Sequence, residues 1–276
     1  MGAEWGKNFA AAAAGDMAAY DEILVPRVFH PFADVLLDAV GVAAGLHVLD
    51  VACGPGTVSR RVAVRVGPSG RVTGCDQSPA MLEVAAAKPA LQDAAPITYR
   101  CWPADALDVA DDAFDLAFCQ QGLQFFPDRL GALAELRRVL KPGGRAGVAV
   151  WCAIEECGFW DGLASAVGEV LGKEAEIGFR MGPWGLPEAD ELRRLFDAAG
   201  FDDVEITRSV LPVVFEGGPA QVTATLAAAP VGPQVAALDH DGRAALLAAA
   251  ETALAPFVHN GELHSEAATH IVVAAS

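Results

Sequence analysis

The sequence predicts an α/β fold: a Rossmann-like, mostly parallel seven-stranded sheet with helices on both faces and a helical cap or lid. Three observations carry this. Short apolar runs alternate with helix-length segments from Leu46 to Trp151, the rhythm of successive β-α units, which make parallel sheets. Gly54 and Gly56 sit between an apolar run and a helical pattern, where a strand passes through a tight turn into a helix N-terminus. The chain has 276 residues, 53% of them hydrophobic, enough for a large α/β core and a cap.

In chain order, the first strand falls at 46–52 and its helix at 57–66. The second strand covers 70–75. The next helix opens at Ser78-Pro79, where serine suits the N-cap and proline the first turn. A third strand spans 97–102, and the fourth, 114–119, follows the acidic turn Asp111-Asp112. A helix over 128–140 stops at Lys141-Pro142-Gly143-Gly144, a glycine cap with a proline that cannot continue it. The fifth strand is Arg145 to Trp151. Beyond it come a short helix at 159–171, a helix at 188–199 ended by Gly200, and a strand at 202–210. Alanine-rich helices follow near 219–228 and 242–256, then a closing strand from Thr269 to Ala274. More than fifty residues between the last two strands are too many for a hairpin and are expected to pack as a lid. The expected organisation is an N-terminal helical lid over 1–45, a cofactor-binding core over 46–151, and a C-terminal half over 152–276 that completes the sheet, with cap insertions at 152–187 and 211–265.

Charge narrows the partners. Nineteen Lys and Arg stand against 36 Asp and Glu, a formal charge of −17. Nucleic-acid binding needs a basic surface that displaces counterions, and Arg60-Arg61, Arg137-Arg138 and Arg193-Arg194 read as solvated helix faces. No nucleic acid and no membrane surface is expected. No apolar run reaches the length of a membrane span, and Ala10–Ala14 lacks the basic flank of a signal peptide and reads as the start of an N-terminal helix. The expected location is the cytoplasm. The six cysteines contain no C-x-x-C pair, so neither a zinc site nor a disulfide framework is indicated. No metal is expected, and a homo-oligomer is compatible with the composition.

The glycine loop fixes the ligand class only in company. A dinucleotide fingerprint needs G-x-G-x-x-G, and the third glycine is replaced by Ser59; no Gly-Lys-Ser/Thr ending makes a phosphate loop. Asp76, ending the second strand, lies one β-α-β span after Asp50, where a carboxylate accepts from both hydroxyls of a ribose; the alternative is a helix-capping acid. Asp105, after the third strand, is placed to accept from the exocyclic amine of an adenine, or is an ordinary surface acid. These acids and glycines line the carboxyl edge of a parallel sheet, where open α/β sheets bind ligands.

The stretches VLDVACGPGT, GCDQSPAMLEVA, PADA, FDLAFCQQGLQFFPD and LRRVLKPGGR resemble, in order and spacing, the class I S-adenosylmethionine-dependent methyltransferases, in the branch with the ubiquinone and menaquinone C-methyltransferases. The resemblance covers residues 20–151. It implies S-adenosylmethionine as cofactor and a role for each matching residue. Asp50 would orient the loop and the cofactor's amino end, while Ala52, Gly54 and Gly56 let the methionine portion approach the backbone. Asp76 would bind the ribose, Gln77 and Met81 pack against adenine, and Asp105 and Ala106 address its edge. Gln120 would lie near the methionine amino group and the transferring methyl. Ala52 departs from the family's usual first glycine.

A sulfonium methyl is already activated, so holding a nucleophile in line with it supplies much of the rate. A general base is then optional, and the sequence names none. Tyr20 and Gln124 are the catalytic candidates. Gln124 stands where related enzymes often carry histidine and can orient an oxygen but not act as a base; a turn-stabilising amide is the alternative. Tyr20 sits in an N-terminal segment expected to fold over the cofactor, its phenol touching cofactor or substrate; a purely packing role is the alternative. Trp151 is a candidate wall of the acceptor pocket. Among the histidines, His259 and His264 precede the closing strand. Trp160, Phe179, Trp184, Phe215 and Phe257 favour an aromatic, polyketide-like, indolic or quinone-like small-molecule acceptor, in the manner of secondary metabolism; ordinary packing of the cap is the alternative. Two readings compete: a cyclase or cofactor-binding protein on the same fold without methyl transfer, and nicotinamide-dependent oxidoreduction. A DNA amino-methyltransferase would need Asn/Asp-Pro-Pro-Tyr after the fourth strand, where the chain has Cys-Gln-Gln-Gly.

Overall fold

A computed structural model describes residues 20–276. The alanine tract and the first part of the N-terminal lid lie outside the described residues. The described residues divide into two compact units: Phe32–Val150 with Glu188–Ser209 and Thr269–Ser276, and residues 20–31 with Trp151–Pro187 and Val210–Ala268.

The first of these units carries the parallel sheet. Strands β1 (His47–Val51), β2 (Arg71–Cys75), β3 (Ile97–Arg100), β4 (Phe114–Gln120) and β5 (Leu140–Trp151) pair in parallel along β3-β2-β1-β4-β5. The register sets Asp50 beside Gly74 and Phe118. Strands β6 (Asp202–Phe215) and β8 (Glu262–Ala275) complete the order β3-β2-β1-β4-β5-β8-β6. β8 runs against β5: Ser276 N donates to Gly144 O at one end and Cys152 N to Ala268 O at the other. The two-residue β7 (Val258–His259) pairs antiparallel with β8. The fold is thus mixed α/β with a mostly parallel sheet of seven strands, plus this short bridge.

Helix α1 (His30–Val40) buries Leu36, Leu37 and Val40 in one core with Val48, Val62, Leu116 and Phe118. Residues 32–45, read from sequence as lid, therefore belong to the sheet-bearing unit. Helix α2 (Thr57–Val66) is two-faced for the same reason. Val58, Val62, Ala63 and Val66 recur at helical spacing and are buried, each valine contributing about 1.5–3 kcal/mol against exposure. Its arginines face the other way, and Arg61 and Arg65 both pair with Asp34. Helix α3 (Pro79–Ala87) starts as its sequence requires, with Ser78 Oγ accepting from Met81 N and proline in the first turn. Helix α4 (Arg129–Val139) leads straight into β5, which begins five residues before the expected Arg145. Pairing jumps from Phe114–Leu140 to Leu116–Arg145, so Lys141–Gly144 bulge out within the strand, with Gly143 at φ 77°.

In the other unit, a π-helix at Tyr20–Phe29 contains Pro26, and Arg27 pairs with Glu216 at 2.7 Å. Helix α5 (Gly158–Leu171) ends where the sequence places its stop and breaks at Gly172, φ 94°, into α6 (Lys173–Met181), a helix the sequence reading did not include. Helix α7 (Ala189–Ala198) belongs to the sheet-bearing unit. Helices α8 (Gly218–Ala224), α9 (Gly232–Ala236) and α10 (His240–Leu254) follow. Gly162 of α5 lets Leu254 of α10 come close: an added Cβ would meet its Cδ2 at 2.6 Å. Phe159, Trp160, Phe179, Trp184 and Phe215 form a continuous ring cluster, with centroids 4.5–6.2 Å apart. No described helix is long and apolar enough to cross a membrane.

Candidate active site

The sheet-bearing unit gathers the loops that follow β1, β2, β3 and β4 along one edge, the carboxyl ends of four mutually parallel strands. Three residues in the loop after β1 have left-handed backbone: Ala52 at φ 54°, Gly54 at 52° and Gly56 at 82°. The glycines adopt this freely, whereas alanine pays roughly 1–2 kcal/mol. At Gly54 no atom lies within 4 Å of where a Cβ would be, so the loop backbone is bare and approachable. At Gly56 that space is taken: a Cβ would meet the Tyr99 hydroxyl at 2.5 Å.

Asp76 ties two loops together. Its Oδ2 accepts from Gly54 N at 2.9 Å and its Oδ1 from Ser78 N at 2.8 Å. Each oxygen keeps a second lone pair, the arrangement that reads a vicinal diol. Burial raises its pKa, against the pull of the backbone amides at Ser78, Gly54 and Gln77. Asp50 is buried and turns to the helix instead, Oδ2 accepting from Ser59 N at 2.8 Å and Ser59 Oγ at 2.5 Å. Burial pushes its carboxyl up to about 7, opposed by the Ser59 bonds and reinforced by the charge of Asp76. Ser59, where a dinucleotide loop has glycine, is thus the partner that holds Asp50; the nine-residue spacing was the only trace of it in the sequence. Burial likewise raises the thiols of Cys53, Cys75 and Cys119, which behave as apolar packing.

Gln77, Asp105 and Ala106 are exposed at this edge, Met81 is buried on α3, and Gln120 ends β4, half-buried. The turn carrying Asp105 and Ala106 is pinned from α4: Glu135 Oε2 accepts from Leu107 N at 2.8 Å, and Arg138 donates to Leu107 O and Val109 O. The Arg138 hydrogen bond holds the Glu135 carboxyl below its ordinary range. Gln124 lies in the 3-10 turn Leu123–Phe125, 4% exposed. The sequence reading missed Ser59, Tyr99, Glu135 and Arg138, as well as Gln121 and Thr269, which bond in line with Gln124.

Tyr20 is not in this unit. It begins the π-helix with its ring 5.1 Å from Phe29, and Phe29 stands 6.1 Å from Trp151. His259 and His264 meet edge-on at 5.9 Å, with Glu262 Oε2 accepting from His264 Nε2 at 3.0 Å, on the β7–β8 hairpin. Among the described residues no group of three His, Cys, Asp or Glu is placed to hold a metal.

A family model described as a methyltransferase domain matches residues 48–144, the stretch that builds this edge. A demethylmenaquinone methyltransferase of Staphylococcus aureus is 32% identical over 179 residues, covering 60% of this chain and 72% of that protein. An uncharacterised 37.1 kDa protein of transposon TN4556 from Streptomyces fradiae is 34% identical over 140 residues, and the match spans 40% of its length. The YcgJ protein of Bacillus subtilis shares the fold, with a TM-score of 0.59 at 17% identity over 90% of this chain and 98% of that one. The chain belongs to the class I S-adenosylmethionine-dependent methyltransferases. Methyl transfer from S-adenosylmethionine is therefore its class of reaction.

Proposed function

We propose that this methyltransferase moves the methyl group to a C, O or N atom of a small, uncharged aromatic or otherwise apolar metabolite. The observation that carries the acceptor class is the ring cluster Phe159, Trp160, Phe179, Trp184 and Phe215, in a unit where no described charged side chain is buried. The rings are packed as an interior, 0–7% exposed, and surroundings of this kind suit flat apolar molecules better than ions. The indole nitrogens of Trp160 and Trp184 find no hydrogen-bond partner among the described residues, which favours an acceptor bearing carbonyl oxygens. The name of the Staphylococcus relative supports a quinone-like ring in the same direction.

The residues fit the cofactor. Asp76, oriented by two backbone amides, takes the ribose hydroxyls. The bare backbone at Gly54, with Ala52 and Gly56, receives the methionine portion, and Asp50 acts through Ser59 to hold that loop on α2. Gln77 and Met81 flank adenine, Asp105 and Ala106 meet its edge, and Gln120 lies toward the amino group. The cofactor supplies an activated methyl on sulfonium; the chain's residues bind, orient and exclude water, with Gln124 as a contact to the acceptor. The chain acts in the cytoplasm without nucleic-acid or membrane partners.

The test is a mass-spectrometric screen of phenols, indoles and quinone-like acceptors for gain of one methyl group, with S-adenosylhomocysteine release as the second readout. Methylation of uncharged aromatic members is expected. A protein that binds the cofactor yet releases no S-adenosylhomocysteine with any acceptor would be a cyclase or binding protein instead.

A further inference from the structure

A line of buried side chains beside the cofactor loops has a direction that its chemistry imposes. The Thr269 hydroxyl stands 2.8 Å from Val150 O and 3.4 Å from His270 O. Both are backbone carbonyls, which only accept, so the single hydroxyl proton goes to a carbonyl. Thr269 Oγ1 must then accept from Gln121, whose Nε2 lies at 3.0 Å. That turns the Gln121 carbonyl toward Gln124, and Gln124 Nε2 donates to it at 3.0 Å. The last group, Gln124 Oε1, is buried and has no partner among the described residues.

Every member is enclosed: Thr269 is 0% exposed, Gln124 4% and Gln121 8%. The chain is also anchored at the backbone. Gln121 N donates to Ala149 O at 2.8 Å and Arg129 donates to Gln124 O at 2.9 Å. Gln121 holds φ at 56°, a left-handed conformation that a side chain with a Cβ disfavours and that persists where the surroundings impose it. Reversing either amide would set two acceptors or two donors face to face, so the open end of the relay is an acceptor. A buried carbonyl without a donor is costly, and a ligand that donates removes that cost.

We infer that Thr269 and Gln121 are positioning residues that hold the Gln124 amide with Oε1 open, so that the site selects methyl acceptors carrying a hydrogen-bond donor, a hydroxyl or an N–H. The inference rests on the reading of Gln124 as an acceptor contact. A neutral amide oxygen reads a donor without taking its proton, and sites built this way discriminate strongly against analogues that lack the donor.

The test uses the full chain saturated with S-adenosylhomocysteine, and calorimetric binding of a naphthol against naphthalene and of an indole against benzothiophene, which lacks the N–H. The donor-bearing member of at least one pair is expected to bind about tenfold or more tightly. In Thr269→Val, of like shape, that ratio falls to about threefold or less, while Thr269→Ser restores it; affinity for S-adenosylhomocysteine stays within about twofold in both. A merely structural threonine would lower the melting temperature and leave the ratio unchanged. Side-chain amide exchange by NMR gives a readout free of any acceptor: protons on Gln121 and Gln124 Nε2 are protected in the wild type and exchange at least about tenfold faster in Thr269→Val. Equal binding within both pairs, or binding of none, overturns the inference, as does a large loss of cofactor affinity in Thr269→Val, which would give the amide to the cofactor. Methyl transfer that ignores the donor sinks this inference alone; a protein with protected amides that transfers methyl to nothing sinks the functional reading.

Discussion

The methyl group of Ala52 fills the space that a side chain on Gly122 would need: a Cβ on Gly122 would lie 2.7 Å from Ala52 Cβ and 2.9 Å from Cys119 Sγ. The two positions, on the loops after β1 and β4, therefore hold one side chain between them. Gly122→Ala should destabilise the fold by about 1–3 kcal/mol through overpacking. Adding Ala52→Gly should recover part of this, because it vacates the space and removes the left-handed strain of Ala52, while Cys119 still crowds the site. A double-mutant cycle by chemical denaturation measures the coupling, and additive effects would contradict the shared space.

Asp76 carries both a ligand-reading surface and a loop contact. Asp76→Ala is expected to weaken S-adenosylhomocysteine binding by at least about tenfold, since charge-assisted hydrogen bonds contribute roughly 1.5–3 kcal/mol each. Titration calorimetry on the folded variant gives the answer; unchanged affinity would remove Asp76 from the ribose site.

Asp50 makes stability depend on pH. Its folded carboxyl titrates at about 7 against an ordinary value of 3.8, so the folded protein holds a proton that the unfolded chain has already released. Each rise in pH across that window costs the folded state. Wild type should lose stability relative to Asp50→Asn as pH climbs from 3.8 to about 7, with a constant difference above it. Asparagine keeps an acceptor for Ser59, so the comparison isolates the charge. Urea unfolding across the window tests this, and a difference that does not vary with pH would show that Asp50 stays ionised.

The Tyr99 hydroxyl is buried against Gly56 with no partner among the described residues, and burial raises its pKa. Tyr99→Phe should stabilise the unliganded protein by about 1 kcal/mol, the cost of an unsatisfied hydroxyl. It should also soften Gly56→Ala, whose Cβ points at that oxygen. A lowered melting temperature in Tyr99→Phe would reveal a partner for the hydroxyl.

Local rules placed the scaffold in the sequence. Ser78-Pro79 starts α3 because cap and first-turn chemistry are short-ranged, and the glycine loop after β1 was legible for the same reason. Where tertiary pairing decides, the sequence was silent. The helix stop at Lys141–Gly144 was legible and α4 ends at Val139, but β4 also recruits Leu140 and bulges the turn into β5. Asp50 reads as orienting the loop and the cofactor's amino end, but nothing local shows that Ser59, nine residues on, is the partner that holds it. The relay from Thr269 to Gln124 joins residues 145 positions apart in sequence by way of the Gln121 side-chain amide, and no spacing rule reaches that far. Tyr20 reads as a catalytic candidate touching cofactor or substrate, or else as packing, and its ring lies 5.1 Å from that of Phe29.

The position of β8 between β5 and β6 has a consequence for synthesis. Residues 262–275 form the strand that β5 and β6 both pair with, so during translation β5 emerges more than a hundred residues ahead of its neighbour. Until then its backbone edge stays open, and an open apolar edge invites pairing with other chains. The last strand to be made is thus the one that closes this edge, so the sheet is whole only once residues 262–275 have joined it.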